Sequence, residues 1–491
     1  MSSLERDEIR QGRLLKSTCK ALRKSTSDVE KLAALLVLTK AVDAASLQLD
    51  DKRKLLDAIS VPFVVRLLQA EEDAFRALGA DIVCAFAVDA DLCEPLRPAL
   101  DALVAALGDL GTGTGVDCAS RLAVHEPGCR ALVQSGLLSA LVELTPPELG
   151  ALLTSLAMNL PDDDELISAV RACTARAAAG RLNADAKRGL FALLASMAER
   201  RGLGSLDTAA TALAAVELEM QLYGAQGGTP PDAVLVAHSC VLLEAAVDEA
   251  VTGGKLPASA ARVPGVLIAF LDEAFQSPCE GHGQAIMLPL CRLLCRWLAD
   301  DSTSMRPEVA KVLGPLLELA SSEEAILPLA IPALCHLTAD DTLRPIVLKS
   351  PVLDKLHLYL TQWTAPFQQL ETCFGIFLNL AVLDAKALDS FPHLLELCVQ
   401  KAVVEADCPT LLKANVSLLG LFLLRVVRVS QLTSKISYAA VPSFCLAFLS
   451  TASVQQPPAV LHCANLSMWL AMFTTVHGPD VDYAAHSAAM F

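Results

Sequence analysis

The sequence predicts an all-α solenoid, a stack of helical repeats sharing one core, and three observations lead there. Apolar residues fill 53% of the 491 positions while aromatics fill only 4%, so the core is built from Leu, Ala and Val. Apolar residues recur at three-to-four spacing over long stretches, which is the helical signature. Few segments alternate with period two or bunch β-branched residues between turns, as strands would. Finally, a helix-closing Leu or Phe returns through most of the chain, at intervals of 34 to 55 residues.

Those anchors are Leu38, Phe86, Leu122, Leu160, Leu194, Leu243, Leu298, Leu337, Leu380, Leu423 and Leu470. Their spacing averages about 43 residues, inside the ~40–47 expected of HEAT and armadillo units. About eleven repeats therefore fill the chain. A unit of this kind leaves an apolar face that only its neighbours cover, so the stack is one continuous core.

Taken in order, the segment Leu4–Leu22 mixes Arg, Lys and Glu with Leu14, Leu15 and Leu22, and reads as a capping helix within residues 1–26. The repeat array proper is expected over 27–435. Its first unit is KLAALLVLTKAVDAASLQLDDKRKLLDAISVPFVVRLL, Lys31 to Leu68. The clearest unit is DCASRLAVHEPGCRALVQSGLLSALVEL, Asp117 to Leu144. There Leu122 closes a long helix, His125 to Gly128 form a turn, and Arg130 to Gln134 form a short helix. Gly136 supplies a tight break, and Leu137 to Leu144 form the next apolar helix. That order resembles the armadillo repeat. It returns at Pro332 to Leu360, with Ser350-Pro351 in place of the glycine, and at Phe374 to Val399. Gly224 to Asp232 and the stretch Gln276 to Gly283 carry loop signals.

Residues 436–491 close the array as part of the same domain. From Ile436 to Pro479 there is no Lys, Arg, Asp or Glu. A spanning helix needs about 20 apolar residues in a row, and Pro442, Pro457, Pro458, His462 and Asn465 interrupt the run. Two buried solenoid helices are expected, and any membrane association would be peripheral.

The formal charge is −16. Nucleic-acid binding needs Lys and Arg gathered on one face, yet the densest cluster is Lys52-Arg53-Lys54. Basic or neutral protein partners are expected instead. The 16 cysteines include no C-x-x-C pair of the kind zinc sites use. Cys291 and Cys295 lie one helical turn apart without a second pair, and free thiols behave as small core hydrophobes. With no signal-peptide run at the N-terminus, a reducing, cytoplasmic compartment follows.

No residue pattern assigns catalytic, cofactor-binding or metal-ligating roles, and an enzyme is not expected. The loop GTGTG at Gly111 to Gly115 lacks the G-x-G-x-x-G spacing and a preceding strand. Cys335-His336 are adjacent on a helix, where side chains diverge by about 100°, so a core-edge His is expected. The run Asp162 to Glu165 after Pro161 suits a helix N-terminus. Asn159 and Asn379 fall where armadillo proteins that grip extended peptides place an Asn, but the Trp one turn earlier is replaced by Ser155 and Gly375. An Asn bonded within the stack is favoured over a peptide grip. The protein-binding residues stay unassigned.

Several blocks go further. SDVEKLAALLVLTKAVDA (Ser27 to Ala44) with KRKLLDAI and PFVVRLL, RWLADDSTSMRPEVAKVLGPLLELA (Arg296 to Ala320), CHLTADDTLRPIVLK (Cys335 to Lys349), ETCFGIFLNL (Glu371 to Leu380) and LLKANVSLLGLFLLRVV (Leu411 to Val427) resemble, in order, the neurochondrin family. The resemblance implies a non-enzymatic, armadillo-like cytoplasmic protein associated with neurite outgrowth. Its partners by resemblance are calmodulin-dependent kinase II, whose phosphorylation it dampens, and the tails of G-protein-coupled receptors. Residues 100 to 290 match the family poorly, and the chain is expected to stop short of its longer C-terminal region. The alternative reading is a housekeeping assembly or vesicle-trafficking scaffold that docks a subunit or membrane through the uncharged end.

Overall fold

The computed structural model describes residues 3–423, apart from short internal stretches such as 40–46, 160–163, 203–207, 252–255, 277–281, 301–305 and 363–365; beyond residue 383 only scattered positions are described. The closing segment 436–491, with its charge-free run 436–479, lies outside the described residues. Every regular element among those described is helical, as an armadillo-type α-solenoid requires. The chain divides into two compact units, 1–263 and 264–491.

In the first unit α1 (Ser3–Lys24) packs on α2 (Asp28–Thr39) and α3 (Leu49–Ile59), burying Leu15, Thr18, Cys19 and Leu22. Then follow α4 (Val61–Leu68), α5 (Asp73–Phe86), α6 (Ala90–Leu110), α7 (Thr112–Leu122), α8 (Glu126–Gln134), α9 (Leu137–Leu144), α10 (Leu149–Met158), α11 (Asp164–Ala178), α12 (Ala184–Arg201), α13 (Thr208–Gln226) and α14 (Ala233–Val251). The second unit contains α15 (Val263–Gln276), α16 (His282–Asp300), α17 (Arg306–Ser322), α18 (Leu327–Ala339), α19 (Arg344–Lys349), α20 (Val352–Gln362) and α21 (Phe367–Leu383).

The order is that of three-helix repeats: a short helix, a second helix, then a third. Helices α8, α9 and α10 are one such unit, and α19, α20 and α21 another. In the first unit of the fold the third helices stack as a ladder, α5 on α7, α7 on α10, α10 on α12 and α12 on α14. A parallel ladder runs α4, α6, α9, α11, α13. In the second unit α16, α18 and α21 stack likewise, and α17 meets α20. Each ladder buries what its neighbour exposes, so anchors Phe86, Leu122, Leu194, Leu243, Leu298, Leu337, Leu380 and Leu423 are all buried. Leu160 lies outside the described residues. The same position in the repeat is held by Leu156 of α10, fully buried and followed by Ala157 and Met158 as Leu122 is by Ala123 and Val124.

Local chemistry explains the breaks. Gly136, between α8 and α9, takes φ +76°, where a side chain would be strained. The equivalent Ser350 instead adopts extended backbone before Pro351. Ser60, between α3 and α4, is held at φ 71° despite its Cβ. Two readings of the sequence need correction. The short helix begins at Glu126, not Arg130, because the His125 ring caps it by accepting a hydrogen bond from Gly128 N at 2.9 Å. And residues 112–115 of GTGTG are helix, not loop: α7 starts at Thr112, since glycine costs a helix only about 1 kcal/mol and Gly115 is buried where Leu107 packs against it.

Repeats are also stitched by polar contacts. Lys52 Nζ meets Asp89 at 2.6 Å, Arg66 grips Asp28 through two bonds of 2.8 Å, and Lys187 meets the buried Glu217 at 3.0 Å. Each joins one repeat to the next.

Candidate functional site

The residues singled out for chemistry resolve into structural roles. Cys291 and Cys295 are both buried in α16, and burial pushes the Cys291 thiol up to about 12. Among the described residues no group of three or more His, Cys, Asp or Glu side chains is placed to hold a metal. Cys335 is half-buried and His336, expected at the core edge, is exposed. Asp162 and Asp163 lie outside the described residues, and α11 begins at Asp164 as a helix N-terminus would.

Asn379 lies on α21 and points back into the stack. Its Nδ2 donates to Cys335 O at 2.9 Å and to Thr338 Oγ1 at 3.3 Å, both on α18. Asn415 does the same one repeat later, donating to Glu371 O at 3.3 Å. Asn159 caps its own helix, donating to Ser155 O. Asn379 and Asn415 thus tie one repeat to the next, while Asn159 bonds within its own helix.

One Cys–His pair escaped the sequence reading. Cys93 Sγ lies 4.0 Å from His125 Nε2. That nitrogen also lies 3.1 Å from Ala87 O, and Nδ1 already accepts from Gly128 N. The ring therefore carries its proton on Nε2, donating to the carbonyl, and has no lone pair left for the thiol. Burial raises Cys93 to about 11, so the pair is a stitch and not a nucleophile with its base. A signal was available: Phe86-Ala-Val-Asp89 with Cys93, and Leu122-Ala-Val-His125 with Cys129, repeat one pattern at one spacing. Cys93 and Cys129 each donate to the Ala carbonyl of that pattern, Ala87 O and Ala123 O.

The same pattern leaves a surface. Asp81 on α5 is followed seven residues later by Val88 in the turn after it, Asp117 on α7 by Val124 in its turn, and Ala151 on α10 by Met158 at its last residue, and all six are exposed. The aliphatic members are 42%, 57% and 67% exposed, although each follows a buried Ala. Because α5, α7 and α10 are consecutive rungs, these side chains form one row at the C-terminal ends of three third helices. The row stops at α12, where Arg200 donates to Met158 O at 3.3 Å. A second apolar stripe, Val216, Met220 and Tyr223, lies exposed along α13. No described helix is long and apolar enough to cross a membrane.

A family model described as Neurochondrin matches residues 10–175 and 261–467, leaving α12, α13 and α14 between its two parts. Human Neurochondrin is 24% identical over 547 residues, covering 84% of this chain and 74% of that protein. The mouse relative is 25% identical with the same coverage. The Neurochondrin homolog of Drosophila melanogaster is 20% identical, covering 83% and 78%. Among solved structures, the crystal structure of an engineered protein superposes with a TM-score of 0.57 at 15% identity, covering 84% of this chain and 98% of that one.

Proposed function

This chain belongs to the neurochondrin family, and from that premise we propose that it is a non-catalytic, cytoplasmic protein-binding scaffold regulating signalling during neurite outgrowth. Its partners in this reading are calmodulin-dependent kinase II and the cytoplasmic tails of G-protein-coupled receptors. One observation supports binding above all: where the third helices α5, α7 and α10 end, successive repeats expose an aliphatic side chain, Val88, Val124 and Met158. A folded chain that leaves the same apolar position uncovered in successive repeats has a surface suited to a partner.

The test is affinity purification with the immobilised chain from neuronal cytosol. Recovery of the kinase and of receptor-tail peptides supports the reading. Their absence, with the chain intact by circular dichroism, removes it.

A further inference from the structure

Helix α13 is apolar on two faces. Ala214, Leu218 and Leu222 bury one of them in the stack. On the other, Leu213 is half-buried and Ala209, Val216, Met220 and Tyr223 are exposed. Those outward residues return at alternating steps of four and three, the 3.5-residue seam along which two helices interlock. A helix apolar all round is ordinarily covered all round. The helix also lies between the two parts matched by the family model, so the seam is a feature of this chain and not of the family pattern.

Charge and shape together name the occupant. The other helices of this ladder turn charge to solvent: Arg66 on α4, Asp91 and Asp101 on α6, Glu143 on α9 and Arg171 on α11 are exposed. No fully exposed residue of α13 is charged. Its two carboxylates are already held, Glu217 by Lys187 at 3.0 Å and Glu219 by Arg262 at 3.5 Å. The seam therefore selects neither a basic nor an acidic partner, only another uncharged apolar ridge. It is complementary to itself. Laid antiparallel on a second copy, with the two-fold axis level with Leu218, Val216 lies opposite the copy's Met220 and Leu213 opposite its Tyr223. Each layer then sets a smaller side chain against a larger one, and Ala209 meets Gly227 at the ends. A parallel pairing sets Tyr223 on Tyr223 and Ala209 on Ala209, which packs unevenly. Two helices about 28 Å long and ~11 Å across share a footprint of roughly 600 Å² over both copies, short of the ~1,000 Å² of a stable complex. The pair is a weak one, formed at micromolar concentration and above.

We propose that α13 is the interface of a two-fold dimer of this chain, packed antiparallel on its own copy through Val216, Met220 and Tyr223. The inference goes beyond the scaffold reading and does not depend on it.

Sedimentation velocity of the full chain from about 1 to about 100 μM tests it, a range that spans a weak dimer. The native chain passes from monomer to dimer with little dependence on salt, since the seam carries no free charge. Val216→Glu and Met220→Lys, each at an exposed position, each weaken association at least ~10-fold by setting a charge in an apolar layer. An equimolar mixture of the two variant chains recovers the dimer, because the introduced carboxylate meets the introduced ammonium only in the antiparallel register. Unchanged circular dichroism and thermal midpoint verify the fold of each variant. A native chain that stays monomeric throughout, or variants that dimerise as the native chain does, overturns the proposal. Variants that weaken but do not recover in the mixture overturn the antiparallel register, and the proposal with it. Should the monomeric variants still capture the kinase and receptor tails from cytosol, the scaffold reading stands whichever way the dimer falls.

Discussion

Replacing Gly150 by Ala separates packing from propensity at a single crossing. Helices α10 and α12 meet there backbone to backbone. A methyl built at Gly150 falls 2.3 Å from Asp185 O, and one built at Gly189 falls 2.3 Å from Gly150 O. Ordinary carbon contacts lie near 3.5 Å, so each methyl intrudes by about 1 Å on a helical backbone that cannot rotate aside. The helices must part, loosening Leu152, Leu153, Leu190 and Phe191, all buried at this contact layer. Overpacking of this kind costs about 1–3 kcal/mol. Against it stands the ~1 kcal/mol by which Ala outdoes Gly inside a helix. That gain applies fully to Gly189 within α12 and only partly to Gly150, the second residue of α10. Expected losses are therefore about 0.5–2.5 kcal/mol for Gly150→Ala and about 0–2 kcal/mol for Gly189→Ala.

The double variant should fall short of their sum by at least ~0.5 kcal/mol, because helices already parted by one methyl admit the second more cheaply. Gly265→Ala is the control: it is exposed in the first turn of α15 with nothing near its missing Cβ, and should stabilise by about 0.5 kcal/mol. Urea titration followed by far-UV circular dichroism measures each, and amide exchange locates the loss in α10 and α12, since repeat arrays open locally. A Gly150→Ala chain as stable as the native one, or strict additivity in the double variant, refutes the reasoning.

Ser60→Gly should stabilise by about 1 kcal/mol, because Ser60 holds φ 71° at a cost glycine does not bear; the urea midpoint should rise. Stability should fall as pH drops from 7.5 through 6.5 towards 5. Burial lowers the His357 pKa, aided by His393 and opposed by Asp354, and burial lowers that of His238 against Glu199 and Asp232. The unfolded chain then binds protons before the folded one, so stability is full above the unfolded pKa and lost below it. His357→Leu should flatten that dependence, and an unchanged slope would remove His357 from the account. Burial holds Cys93 at about 11 and Cys129, Cys173, Cys291 and Cys373 at about 12. Peptide mapping after iodoacetamide at neutral pH should find these five unmodified in the native chain and alkylated in urea. Finally, Asn379→Ala should cost about 1 kcal/mol by deleting the bonds to Cys335 O and Thr338, read in the same titration.

What the amino-acid sequence determined by itself is everything that depends on neighbours in the chain. The Leu spacing and Gly136 fix the order of α7 to α10 and the break before α9, because helix period and φ preference act within a few positions; the starts of α7 and α8 lie earlier than these local signals place them. The repeat interval was readable for the same reason, and with it the armadillo-type stack. Tertiary structure alone decided which apolar residues face out. Val88 and Val124 follow buried alanines in a pattern that hydropathy reads as core, yet both are exposed. Tertiary structure likewise placed Cys93 beside His125 and turned Asn379 inward. It brought Gly150 to Gly189, 39 positions away, where neither glycine signals its partner. Those outcomes depend on how one repeat's helices cross the next, a distance set by the sum of many side-chain volumes and by no local preference.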